Sequence, residues 1–175
     1  ILEGWALNAL GTALYASGDA SRAVTYHERI VPLARAGGLY DLRFDALWGL
    51  ALDHYALGDG RRAIRYARTA MAVAEAFGHH HGKQRARYAL GLAHTAAGQP
   101  EQAIPCHREI IAYNRQIGNR HGAGYNLHAL GLAYAALGDD REAIAQQKAA
   151  FDVFREIGER RGQAQALQQM SLAYD

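Results

Sequence analysis

The stretch Tyr125-Asn-Leu-His-Ala-Leu-Gly-Leu-Ala-Tyr-Ala-Ala-Leu-Gly-Asp-Asp140 decides the fold. Its large apolar residues Leu127, Leu130, Tyr134 and Leu137 advance in steps of 3, 4 and 3, one face of a helical period. The spacing predicts a helix from about Tyr125 to Leu137. Gly138 can adopt the left-handed backbone that ends a helix, and Asp139 can cap the next one. A second run follows, with Ala143, Ile144, Ala150, Phe151, Phe154 and Ile157 on one face. The unit is therefore helix, tight turn, helix.

Working outward, the same unit returns every 40 residues. Gly18, Gly58, Gly98 and Gly138 keep that interval, and Gly38, Gly78, Gly118 and Gly158 fall midway between them. Leu10, Leu50, Leu90 and Leu130 share a column that Met170 continues. Ala23, Ala63, Ala103 and Ala143 share another, as do Val24, Ile64, Ile104 and Ile144. No insertion breaks the register. Gly58-Asp59 and Gly18-Asp19 repeat the turn chemistry. In the third copy Gln99 replaces the capping Asp and Pro100 suits a first helical position. Pro105, deeper in that helix, is expected to weaken or bend its first turns.

One helix pair cannot bury its apolar face alone, but stacked pairs can. The expected fold is an all-α solenoid of antiparallel helix pairs in a single domain over 1–175. Its repeats run over 1–38, 39–78, 79–118 and 119–158, with a partial fifth at 159–175. Small residues such as Ala63, Ala67, Ala70 and Ala74 let the helices approach closely, and the Ala23, Ala63, Ala103, Ala143 column is expected at buried contacts. The chain is expected to be a piece of a longer protein, since it begins at Ile1 and shows no charged-then-apolar leader.

Composition excludes several classes of function. The net charge is +2, too small to make nucleic acid or an acidic membrane the main partner. One Cys permits no intrachain disulfide, and no apolar run is long enough for a membrane helix. A cytoplasmic location is expected. The 17 Arg and 2 Lys lie mostly on helix surfaces near acidic residues, and Arg61-Arg62 and Arg160-Arg161 are pairs rather than a patch. The run His79-His80-His81 sits at a turn, where adjacent residues do not converge on one ion. His27 and His107 hold equivalent positions and are expected to be partly buried packing residues. Cys106 and His107, as helix neighbours, point about 100° apart and do not form a nucleophile pair. No catalytic residue, metal or cofactor is expected.

Leu127, Leu130, Gly131 and Tyr134, followed by Ala143, resemble the signature of tetratricopeptide repeats. Copy one offers Leu7, Leu10, Gly11, Leu14 and Ala23. Copy two offers Leu47, Leu50, Ala51, His54 and Ala63, and copy three Arg87, Leu90, Gly91, His94 and Ala103. Ile117-Gly118-Asn119-Arg120-His121-Gly122 and Ile157-Gly158-Glu159-Arg160-Arg161-Gly162 resemble the turns of a 40-residue, long-helix subclass. That subclass occurs in spindle-orientation scaffolds and in bacterial signalling ATPases and transcriptional regulators. The resemblance implies a right-handed superhelix whose concave face is lined by the first helix of each repeat.

If this chain follows that geometry, four columns point inward: Trp5, Asp45, Arg85 and Tyr125; Asn8, Trp48, Tyr88 and His128; Thr12, Leu52, Leu92 and Leu132; and Tyr15, Tyr55, Thr95 and Ala135. Both Trp residues and four of ten Tyr residues lie in them. Aromatic side chains dominate binding hot spots, so the stripe reads as a partner groove or as sideways packing between first helices. Carboxylate-clamp relatives use Lys and Asn here. This chain has Arg85, Asn8 and His128 scattered over different columns. The Asn ladder of the spindle scaffolds is replaced by Ala9, Gly49, Ala89 and Ala129. An amphipathic helix, or a segment of the same parent protein, fits such a groove.

The expected function is a non-enzymatic protein or peptide interaction scaffold, part of a larger bacterial regulator. The alternative is a sensor that binds a small peptide or metabolite and switches an attached ATPase or DNA-binding domain. No direct nucleic-acid or membrane partner is expected. The apolar residues Leu2, Trp5, Leu7 and Leu10 at one end, and Leu167, Met170, Leu172 and Tyr174 at the other, suggest self-association through uncapped ends.

Overall fold

The computed structural model describes residues 2–172. Among them are nine helices and no strand: α1 (Leu2–Ala16), α2 (Ala20–Ala36), α3 (Tyr40–Ala56), α4 (Gly60–Ala76), α5 (His80–Ala96), α6 (Pro100–Gln116), α7 (Arg120–Leu137), α8 (Asp140–Glu156) and α9 (Arg160–Leu172). The chain divides into two compact units, Ile1–Ala97 with α1 to α5 and Gly98–Asp175 with α6 to α9. Tyr174 lies outside the described residues. None of the described helices is long and apolar enough to cross a membrane.

The turns follow from the sequence chemistry. Gly138 has φ of +83°, and the other seven turn glycines are likewise left-handed. Asp19, Asp59 and Asp139 accept hydrogen bonds from the backbone N–H of Arg22, Arg62 and Glu142 at 3.1, 3.0 and 3.1 Å. Asn119 does the same for Gly122 at 2.9 Å, and α7 starts at Arg120 rather than near Tyr125. The stretch 120–124 holds two glycines and no large apolar residue, so its helicity has no periodic signal. Helix α6 starts on Pro100 without a side-chain cap from Gln99, and it continues through Pro105 to Gln116. Pro105 is exposed, and the one backbone bond it removes lies near the helix start, so the expected weakening does not end the helix.

In the first unit α2 packs on α1 and α3, α4 on α3 and α5, and the first-type helices α1, α3 and α5 pack on one another in turn. In the second unit α6 and α8 both pack on α7, and α9 covers α7 and α8. Ala23, Ala63 and Ala103 are fully buried and Ala143 nearly so. Leu7 is also core, packed with Ile30, Ala34, Leu42 and Ala46, so it does not belong to an exposed end strip. Leu2, Leu10, Leu167 and Leu172 are exposed and Met170 half-buried. Phe154 anchors the second unit. A Cβ added at Gly124 or Gly162 would come within 2.8 or 2.6 Å of its ring, so two helices close onto that ring only because they carry glycine there.

Candidate partner-binding face

Equivalent positions on stacked first helices become neighbours, and this builds one interlocked layer of the face. Asp45 on α3 and Arg85 on α5 are 40 residues apart in sequence, and Arg85 Nη1 donates to Asp45 Oδ1 at 2.9 Å. Trp48, one turn beyond Asp45, lies under the same guanidinium, 4.1 Å from its ring centroid. The Trp48 Nε1–H donates to the Arg85 carbonyl at 3.2 Å. Phe44 touches the guanidinium from the buried side at 5.2 Å. The Asp45 and Arg85 side chains stay 26% and 31% exposed, so the layer is fixed in place and still reachable. An aromatic plane bearing a held cation contributes about 0.5–1 kcal/mol of cation–π energy and loses little rotamer freedom on contact with a partner.

Around this layer, Trp5 and Thr12 are exposed, and Asn8, Tyr15, Tyr55 and Tyr88 are half-buried. The Asn8 Oδ1 atom is buried with no hydrogen-bond partner among the described residues. Burial raises the Tyr55 phenol above its usual value. Leu52 and Leu92 are different: both are only 7% exposed. They belong to packing between helices and leave little surface for a partner. A branched apolar side chain at a close helix contact is drawn out of water by the same approach that brings Asp45 to Arg85.

In the second unit, Tyr125, His128 and Leu132 of α7 are half-buried. The Tyr125 ring meets Phe154 edge to face at 5.0 Å, and its hydroxyl donates to Glu159 Oε2 at 3.4 Å. Burial first, then the Glu159 charge, raises its phenol. His128 Nδ1–H donates to Gln147 Oε1 at 2.8 Å, and Gln147 Nε2 returns a bond to the His128 carbonyl at 3.1 Å. Burial lowers the His128 imidazole below its usual value.

A set of buried polar groups lies behind this face, and sequence reasoning missed most of it. His27 and His107 are completely rather than partly buried. His27 Nδ1 and Asp53 Oδ2 are 2.6 Å apart, and burial raises the Asp53 carboxyl despite that contact. His107 Nδ1–H donates to Asn126 Oδ1 at 3.1 Å, while burial holds its imidazole down at about 4. These side chains occupy space released by glycine. A Cβ at Gly11 or Gly49 would sit 2.6 or 2.7 Å from the His27 ring, and one at Gly131 would sit 2.5 Å from Gln147. The column pairs 11/27, 51/67 and 131/147 read Gly/His, Ala/Ala and Gly/Gln. Comparing those pairs was the available signal. His79 caps nothing through its side chain and packs edge-on against Phe44 at 5.8 Å.

Residues 42–116, spanning α3 to α6, match the family model for the tetratricopeptide repeat. This segment is a tetratricopeptide-repeat array. Solved structures with the same fold extend the likeness to almost the whole chain. A Rap protein complexed with competence and sporulation factor has a TM-score of 0.84 at 16% identity, covering 99% of this chain and 49% of that one. Tetratricopeptide-like repeats of a putative kinesin light chain from Podosopora anserina give 0.73 at 19% identity, covering 97% and 84%. The apo form of RapI gives 0.71 at 11% identity, covering 98% and 48%. At these identities the likeness is one of fold. The chain spans about half the length of the two Rap proteins it matches. No curated protein matches it in sequence.

Proposed function

We propose that this tetratricopeptide-repeat array is a non-catalytic scaffold that binds a protein or peptide segment along the face of its first helices. The single observation that supports it best is the Asp45–Arg85–Trp48 layer, which presents an aromatic plane and a held charge to solvent. Trp5, Asn8, Thr12, Tyr15, Tyr55 and Tyr88 extend the contact surface in the first unit, and Tyr125, His128 and Leu132 offer one in the second. We further propose that the parent protein is a bacterial cytoplasmic regulator. The Rap protein solved with competence and sporulation factor supports a second reading, a sensor that takes a small peptide or metabolite and switches an attached domain.

Both Trp residues of the chain lie on the proposed face, so intrinsic fluorescence reports on it directly. Amphipathic helical peptides and overlapping segments of the parent protein are to be titrated against the chain. The expected result is a saturable Trp shift that weakens about tenfold in Arg85→Ala, a loss of about 1.4 kcal/mol. Tight binding untouched by Arg85→Ala and Trp48→Ala would place the partner elsewhere and refute the assignment.

A further inference from the structure

Helices α6 and α8 both pack on α7, and between them lies an open cleft of about 300 Å³. Its floor is Ile111, Leu127 and Leu130, and its rims carry Arg108, Arg115 and Gln146. Arg108 and Arg115 are seven residues apart and so share one side of α6. Neither has a carboxylate partner among the described residues. Arg108 is held by a hydrogen bond from Nη2 to the Tyr134 hydroxyl, with its guanidinium 5.8 Å from that ring's centroid. Gln146 Nε2 donates to Glu142 Oε2 at 3.4 Å.

The repeat supplies its own comparison. Counting back 80 residues, Leu127, Leu130 and Ile111 correspond to Leu47, Leu50 and Val31, so the apolar floor is retained in the first unit. Gln146 corresponds to Tyr66, which packs against the cluster holding Leu47, Phe44 and Val31 and stacks on His54 at 5.4 Å. Arg108 corresponds to Glu28. Two substitutions thus act on one place: the side chain that fills the cleft is replaced by a smaller polar one, and a rim charge turns from negative to positive. Packing alone calls for neither change, because the first unit packs the same floor with Tyr66.

We propose that the α6–α7–α8 cleft binds a small organic anion, a carboxylate on an aliphatic stem. The stem lies on Ile111, Leu127 and Leu130, and the carboxylate meets Arg108 and Arg115. The volume sits at the low end of small-molecule sites, which suits a free acid rather than a folded partner. Arginine suits the head group because its planar fork pairs with carboxylate oxygens and stays charged. This site lies on the second-helix side and is independent of the partner face described above.

Isothermal calorimetry with octanoate tests it, using acetate, octanol and octylamine as controls and a tripeptide ending in Leu as the alternative source of a carboxylate. Octanoate is expected to bind, and each control is expected to bind at least about tenfold more weakly. Arg108→Gln and Arg115→Gln are expected each to weaken octanoate about tenfold. Gln146→Tyr, which restores the filling side chain of the first unit, is expected to abolish binding while the protein stays folded. Octanol binding as well as octanoate, acetate binding as well as octanoate, or Gln146→Tyr binding unchanged would each overturn the proposal. So would no heat from octanoate at millimolar concentration. Tighter binding of the tripeptide would overturn the assignment to a free acid.

Discussion

Replacing Gly131 by Ala should change sign according to what stands at position 147. A Cβ at Gly131 would lie 2.5, 2.9 and 3.1 Å from Nε2, Cδ and Cγ of Gln147. That side chain is 2% exposed and tied at both ends of its amide to His128, so it cannot swing clear without losing two hydrogen bonds. Overpacking costs about 1–3 kcal/mol, and the two lost bonds about 1 kcal/mol each. Against this, Ala in place of Gly within a helix contributes about 1 kcal/mol. Gly131→Ala alone should therefore destabilise by about 2–4 kcal/mol, lowering Tm by roughly 4–16 °C for a chain of this size. In a Gln147→Ala background the obstruction is gone, and the pair becomes the Ala51/Ala67 arrangement that the second repeat already buries completely. There Gly131→Ala should stabilise by about 1 kcal/mol. Urea unfolding of the four proteins, followed by helical circular dichroism, gives the coupling energy, expected at about 2 kcal/mol or more. Equal effects of Gly131→Ala in both backgrounds would refute the claim that glycine is there to make room for Gln147.

Stability should fall as pH drops from 6.5 to 4, because the folded protein holds His107 neutral, with its pKa lowered to about 4, while the unfolded chain takes up a proton near 6.5. The contribution is complete above 6.5 and amounts to about 3 kcal/mol. His54 and His128 are lowered in the same sense, whereas Asp53 is raised and acts oppositely. His107→Gln keeps a donor for Asn126 and should flatten the Tm–pH profile relative to wild type, and superimposable profiles would contradict the buried-histidine account. Ala103→Leu, at a fully buried position, should cost roughly 1–3 kcal/mol in thermal unfolding. Gln99→Asp should add the N-cap that α6 lacks and raise stability by about 0.5–1 kcal/mol, visible as a small upward shift in urea midpoint.

The turns and the helices were legible because their causes are local. Gly138 with Asp139 specifies a stop and a start within two residues, and the same pair at 58/59 and 18/19 produced the same geometry. The start of α7 was not legible from periodicity, because Asn119 fixes it by capping a stretch that has no apolar face. The candidate face was legible as a set of columns, since a 40-residue period makes sequence neighbours in a column into spatial neighbours. Asp45 and Arg85 meet for that reason alone. Its depth was not legible, because a Leu and a Tyr in adjacent columns look equally exposed on a helical wheel. The buried Leu52 and half-buried Tyr55 differ by how closely the neighbouring helix approaches. The polar interior needed a further step. His27 and Gln147 are each set by a glycine 16 residues away on the opposite helix, and neither residue of the pair is unusual by itself. Gly11 with His27 and Gly131 with Gln147, set against Ala51 with Ala67, show one volume divided in two ways, and the same comparison between Tyr66 and Gln146 exposes the cleft beside α7. A repeat protein thus carries its own aligned copies. Where one copy departs from another at two contacting columns together, the departure has a physical cause at that contact, and each such pair is a place to cut.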